Sequence, residues 1–407
     1  MNKYLNTFFQ SLKGGEVLVS ISDYRPVWAE INLDNLVHNF REVRRLVGEK
    51  VIITSVIKAD AYGHGATVVA KTLSENGSDR FAVATLSEAM ELRRSGITKD
   101  ILILGYTPGD QAHIVVENNI TQTIYNMESA ISISNAAVQL GKTAKIHLKI
   151  DTGMGRIGYL PNADSVKDIL SIFKLPNIYI EGIFSHFARA DESNKEYTRI
   201  QFEKFNWILG EIKKRGLEIP IKHIANSAAI IDLPEYYLDM VRAGIMLYGL
   251  YPSEYVNKER VNLKPVMTLK AKVSNVKTVN AGEGISYGHK FVTNKVTKIA
   301  TLPIGYADGF TRLLSQKAEA SIKGRKVPIV GSICMDQCMA DVSELEDVKI
   351  GDEAIMFGPG DNGELKADDL ANKLGTVNYE ILCMVSKRVP RVYIKNSGIV
   401  HIKDYLA

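Results

Sequence analysis

From Ile31 to about Leu250 the chain alternates short, β-branched apolar runs with longer segments whose apolar residues return every three or four positions. The runs predict strands at 51–58, 80–85, 101–105, 120–125, 144–150, 178–186, 221–227 and 238–247. Several are apolar almost without interruption, as in 51–57, which suits strands buried on both faces of a parallel sheet. Between them lie helical patterns. Leu33, Leu36, Val37, Phe40, Val43 and Val47 form one stripe, with Asn32 or Asp34 available as N-cap. Segments 126–140 and 194–214 repeat the period and run into Gly141 and Gly216, residues suited to ending a helix. Eight strand and helix units predict a (β/α)8, TIM-like barrel, a fold whose chemistry gathers at the C-terminal ends of its strands.

From about Val266 the pattern changes to the alternation of half-buried strands, as in 267–273 and 298–302, divided by turn residues at 281–284 and 358–361. Only 366–374 and 378–387 look helical there. The expected organisation is an N-terminal arm (1–27), an α/β barrel (28–262) and a mostly β C-terminal domain (263–407).

A length of 407 residues agrees with two domains. Charged residues make up 24 % and the net charge is +4, too small and too dispersed for a nucleic-acid-binding surface. Cys334, Cys338 and Cys383 are an odd number, which points to a reducing compartment, and no second pair completes a metal site around the first two. No apolar run approaches the ~20 residues of a membrane span, and residues 1–24 lack a signal-peptide pattern. A cytoplasmic protein with no membrane partner is expected.

The polar residues at the predicted strand ends fall on one rim of the barrel: Lys58, Lys149, His186, Asn226 and Ser227, Arg242 and Gly244. A lysine at a strand tip is partly desolvated, so its amine can become a nucleophile toward a carbonyl. Asn226-Ser227-Ala228-Ala229 offers a hydroxyl and free N–H groups at a helix start, suited to a dianion.

The run from Val56 through Lys58 and Tyr62 to Gly65 resembles the cofactor-lysine motif of the alanine racemases, and similar matches recur in order from about Trp28 to Tyr393. They include 149–158 (Lys149, Arg156), 185–188 (His186), 223–229 (Asn226, Ser227) and 242–245 (Arg242, Gly244, Ile245). Further on come 286–288 (Tyr287), 304–309, 334–337 (Met335) and 378–380 (Tyr379). The resemblance implies pyridoxal 5'-phosphate (PLP) as cofactor, L- and D-alanine as substrates, and a homodimer with shared sites that supplies D-alanine for peptidoglycan. It makes Lys58 the covalent anchor and one of two bases, the other being Tyr287 of the partner subunit. Two bases on opposite faces are what racemisation requires. His186 and Arg242 would tune Tyr287, and Arg242 would also face the cofactor's ring nitrogen. Tyr62, Asn226, Ser227, Gly244, Ile245 and Tyr379 would hold the cofactor, chiefly its phosphate. Arg156 would reach the cofactor and the substrate carboxylate, and Met335 would line that carboxylate from the second subunit. Lys149 matches a position that is often carbamylated, an acquired negative charge that would fix Arg156, with Asp151 as the alternative partner.

Two positions depart from the family pattern: Ser332 stands where an arginine is common, and Arg189 where a small polar residue is usual, which suggests a relocated charge at the entrance. A serine or broad-specificity racemase is the competing enzymatic reading. Tyr379 beside the substrate favours the smaller methyl side chain. A non-enzymatic PLP carrier would need neither Tyr287 nor residues 266–407.

Overall fold

The computed structural model describes residues 24–360 and 364–406. A first strand, β1 (Val27–Asn32), precedes eight parallel strands: β2 (Ile52–Val56), β3 (Arg80–Val83), β4 (Asp100–Ile103), β5 (Thr121–Ile124), β6 (Ala144–Lys149), β7 (Ile178–Phe184), β8 (Ile221–His223) and β9 (Met240–Ala243). They pair in sequence order, and β2 pairs also with β9, with Thr54 level with both Arg80 and Arg242. Asp239 N donates to Lys222 O and Arg242 N to Ala225 O, which joins β8 to β9 and closes the ring. The expected barrel is present.

Local chemistry explains the helices around it. Asn32, Asn126, Asn162 and Asn226 each accept, through the side chain, a backbone N–H from the first turn of the helix they cap. The first helix, Leu33–Val47, buries Leu33, Leu36, Phe40, Val43 and Val47 as its periodicity predicts, and Asn32, not Asp34, is the cap.

Several strands are shorter than their apolar runs. β2 stops at Val56, before Lys58, because the chain enters a tight turn. β8 stops at His223, since Asn226 and Ser227 already cap and begin a helix, and β9 stops at Ala243, where Gly244 turns the chain into a 3-10 segment, Ile245–Tyr248. Hydrophobicity continues past these points because the segments stay buried after they leave the sheet.

The second sheet is built from Asn275–Val279, Thr297–Leu302, Cys338–Asp341, Arg325–Val330, Glu319–Ile322, Glu353–Phe357, Met267–Lys272, β1, Arg391–Lys395 and Gly398–Lys403, in that spatial order. Trp28, Val392 and Ile402 form one of its apolar clusters; Ile285, Ile299 and Val330 form another.

The chain divides into two compact units, and neither is a single stretch. Among the described residues, one holds Asn32–Met267 and Lys366–Val385; the other holds those up to Ile31, those of Thr268–Leu365 and those from Ser386. A single cut at 262/263 therefore does not describe the folding units. β1 joins the second sheet, whereas the helices Ala367–Leu374 and Asn378–Met384 belong with the barrel. Most of the expected arm 1–27 lies outside the described residues. Among the described residues no helix is long and apolar enough to cross a membrane.

Candidate active site

Lys58 opens a turn of unusual hand. Ala59, Asp60, Ala61 and Tyr62 have φ of 51°, 53°, 55° and 53°, a left-handed helical turn made without glycine. Each such L-residue costs about 1–2 kcal/mol. The surroundings hold it in place: Ala59 N donates to Glu88 Oε1 (2.6 Å), Ala66 N to Asp60 Oδ1 (2.7 Å) and Gly65 N to Asp60 O (2.9 Å). The Lys58 amine is half-buried; burial, then the positive charge of Arg156, lowers its proton affinity, with Glu88 opposing. A lysine in such surroundings is a better nucleophile than a solvated one.

Tyr62, at the end of the turn, is buried, and its ring lies 4.7 Å from Tyr248 and 6.1 Å from Tyr379. Gly244 N donates to Ser227 Oγ (3.0 Å). A Cβ on Gly244 would stand 3.0 Å from Tyr62 Oη and 3.7 Å from Ser227 Oγ, so the missing side chain leaves a small space walled by two hydroxyls. Ser227 opens its helix, Asn226 Oδ1 is occupied in capping Ala229 N, and Ile245 is fully buried beside Gly244. Tyr62, Ser227, Gly244, Ile245 and Tyr379 thus gather in one place; Asn226 adjoins them as a cap.

Arg242 is buried (4 % exposed). Its guanidinium donates to His223 Nδ1 (2.7 Å), Ser185 O (2.8 Å), Ile224 O (3.0 Å) and His186 Nδ1 (3.1 Å). Because an arginine has no acceptor, His186 must present an unprotonated Nδ1 to it, which leaves the ring's proton on Nε2. Burial and the positive charges of Arg242 and Arg156 hold His186 well below the usual histidine range, so it is neutral.

Lys149 ends β6, 2 % exposed, and its Nζ donates to Ile150 O (2.5 Å). Burial first and Arg242 next lower its pKa to about 7, with Arg156 adding repulsion. Asp151 does not serve as a side-chain partner of Arg156: its carboxylate accepts the backbone N–H groups of Gly153 (2.9 Å), Gly155 (3.0 Å) and Arg156 (3.1 Å), folding the glycine loop. Arg189 is committed to Glu192 through a 2.7 Å bond from Nε and so is not a free entrance charge.

Tyr287 and Met335 belong to the other unit, where both side chains are exposed. Tyr287 follows Ser286, whose φ is 66°. Ser286 Oγ donates to Ser332 O (2.6 Å) and Ser332 Oγ to Tyr287 O (3.1 Å), a reciprocal clamp on the tyrosine turn. Ser332, the departure noted in the sequence, thus works internally. Met335 O accepts Ala307 N (3.0 Å).

Sequence reasoning missed Arg80, His147, Glu181 and a structural role for His223, which form a polar cluster with Arg242 inside the barrel. They come from separate strands, and no local motif joins them. Glu88, which fixes the Lys58 turn, was missed for the same reason.

These features describe a two-unit chain with a parallel barrel, a half-buried lysine beyond the first barrel strand and a small space walled by two hydroxyls at Gly244. The family profile "Alanine racemase, N-terminal domain" matches residues 31–252, and "Alanine racemase, C-terminal domain" matches 266–393. An alanine racemase of Clostridium acetobutylicum is 52 % identical over 382 residues, covering 94 % of this chain and 99 % of the relative; one of Methanococcus maripaludis is 53 % identical over 369 residues, covering 91 % and 99 %. The solved alanine racemase of Clostridium difficile 630 superposes with a TM-score of 0.91 at 50 % identity, covering 94 % of this chain and all of that one. The Bacillus anthracis enzyme with bound L-Ala-P gives 0.90 at 37 % identity, covering 94 % and 98 %. The chain belongs to the alanine racemase family.

Proposed function

We propose that this protein interconverts L- and D-alanine with PLP, in the cytoplasm, as a homodimer with shared sites, supplying D-alanine for the cell wall. The space at Gly244 carries the reading: it is walled by the hydroxyls of Tyr62 and Ser227 and set beside a helix start. Ser227 Oγ accepts from Gly244 N, which leaves its own proton for an anion. The residues therefore fit the group. Lys58 would hold it covalently, Tyr62, Ser227, Gly244, Ile245 and Tyr379 its phosphate, and Arg242 its ring nitrogen. Bound there, the cofactor withdraws electrons from the substrate's α-carbon and acidifies its hydrogen.

The chain's own residues do the rest. Lys58, its proton affinity lowered, accepts a proton on one face and Tyr287 of a partner subunit returns one on the other. Arg242, which cannot readily give up a proton, keeps an acceptor it faces unprotonated. Arg156 orients the substrate carboxylate, and Lys149 as a carbamate would hold Arg156 in place. The three cysteines, all free thiols, agree with a reducing compartment.

The test is α-proton exchange with deuterated solvent and loss of optical rotation, followed on L-alanine and L-serine side by side. Alanine should be the better substrate. Equal or faster turnover of serine would move the protein to the broad-specificity reading, and no exchange on either would defeat the proposal.

A further inference from the structure

Arg242 presents an electrostatic problem that the proposed reaction does not solve. Its guanidinium is buried, and its recorded bonds go to two carbonyls and two imidazoles, with no carboxylate in ion-pairing distance among the described residues. Behind it the bonds continue. His223 Nε2 lies 2.9 Å from His147 Nδ1, and His147 Nε2 lies 3.0 Å from Glu181 Oε2. Glu181 in turn accepts Arg80 Nη1 at 2.9 Å and pairs with Lys145 at 3.3 Å. Both imidazoles are 0 % exposed and Glu181 is 7 % exposed.

The donor at one end fixes the direction of the whole line. Arg242 can only donate, so His223 Nδ1 carries no proton and Nε2 does. His223 Nε2–H must then donate to His147 Nδ1, which leaves the His147 proton on Nε2, aimed at Glu181. The 3.4 Å approach of Arg80 Nη1 to the same His147 nitrogen is therefore a contact between two donors, both directed to the Glu181 carboxylate.

The backbone is shaped around this line. The β6/β7 register shifts between Ile146 and His147, a bulge of the kind that re-aims a side chain. Across from it, a Cβ on Gly182 would come within 2.5 Å of the His147 ring, so only glycine leaves room for the imidazole. Phe184 stacks on His223 at 4.7 Å with 7° between the planes, which fixes that ring as well.

We infer that His223, His147 and Glu181 are positioning residues for Arg242: a one-way donor line runs from the guanidinium through two neutral imidazoles to a carboxylate. The line keeps an acceptor facing Arg242 Nη1. Should His223 change tautomer, two N–H groups would oppose each other across 2.7 Å and Arg242 would be displaced. Because the inference rests on the proposed role of Arg242, its test includes a readout that does not depend on that role.

Neutron diffraction on the deuterium-exchanged holoenzyme locates the ring protons directly. Deuterons on Nε2 of both His223 and His147, and none on Nδ1, are expected; a deuteron on Nδ1 of either overturns the line. Kinetics of two variants then test its effect. His147→Gln retains an acceptor and a donor at nearly the spacing of the ring nitrogens, while His147→Leu retains neither. The leucine variant should lose about tenfold or more in kcat with KM for L-alanine little changed, and the glutamine variant should recover to within about threefold of the parent. Equal kcat in the two variants, both folded and loaded with cofactor, would reduce the line to packing. If the parent chain proves not to racemise alanine, the functional reading fails, yet the deuteron positions still decide the line.

Discussion

The charged form of Lys149 sits badly in its surroundings. As an ammonium it would be buried beside Arg242 with Arg156 also repelling it, and its pKa falls to about 7. At neutral pH much of it is free amine, the form that adds to CO2: a C–N bond forms, a proton leaves, and a carbamate anion replaces the unfavourable cation. This yields a test by linkage. The unfolded lysine titrates near ~10.4. Between about 7 and that value the unfolded chain binds a proton that the bare native one lacks, so stability rises with pH across this window and is flat below it. In CO2-free buffer, the stability difference between the parent and Lys149→Met should rise with pH by at most about 1.4 kcal/mol per unit. Adding bicarbonate should stabilise the parent and extend the slope below pH about 7, because a carbamate keeps the native lysine without its proton at lower pH than the free amine does. If bicarbonate changes neither the stability nor the pH at which the slope begins, read from denaturant unfolding, no carbamate forms. Lys58 has a simpler test: borohydride reduction of the loaded protein followed by peptide mapping should mark Lys58 and no other lysine, and Lys58→Ala should abolish both adduct and racemisation.

At the scale of elements, the parts legible in the sequence are those whose physics is local. Buried parallel strands read as apolar runs, asparagines before apolar stripes read as caps, and polar residues where such runs end read as a rim. The left-handed turn after β2 was not legible, because Ala59, Asp60, Ala61 and Tyr62 are not glycine and their φ values are imposed by Glu88 and Ala66 from elsewhere in the chain. Nor was the place of β1, since a strand does not encode its partners. The turn makes an unusual prediction. Ala59 is exposed at φ 51°. Glycine in an ordinary helix destabilises by about 0.5–1 kcal/mol relative to alanine, whereas here it should relieve about 1–2 kcal/mol of left-handed strain. Ala59→Gly should therefore leave the protein as stable or up to about 1 kcal/mol more stable in urea unfolding. A loss of 1 kcal/mol or more would show that the turn is not strained as its dihedral angles imply.

At the scale of the molecule, the question is which chain completes which site. Lys58 and the cradle around Gly244 lie in one unit, whereas Tyr287 lies in the other, 69 % exposed on its own chain although the proposed chemistry needs it against a substrate. An exposed base is of little use unless something covers it, and a second copy that receives Tyr287 would meet that need. Mixing inactive variants tests the arrangement. In a heterodimer of Lys58→Ala and Tyr287→Phe chains, shared sites place both lesions in one site and restore Lys58 with Tyr287 in the other. With random pairing, about half of the dimers are mixed and each carries one intact site, so activity should return toward about a quarter of the parent's per chain. Phenylalanine keeps the ring and removes only the proton carrier, so cofactor content should stay near normal in the Tyr287→Phe parent. If heterodimers form and hold cofactor but no activity returns, each chain builds its own site, and Tyr287 must reach the Lys58 of its own chain.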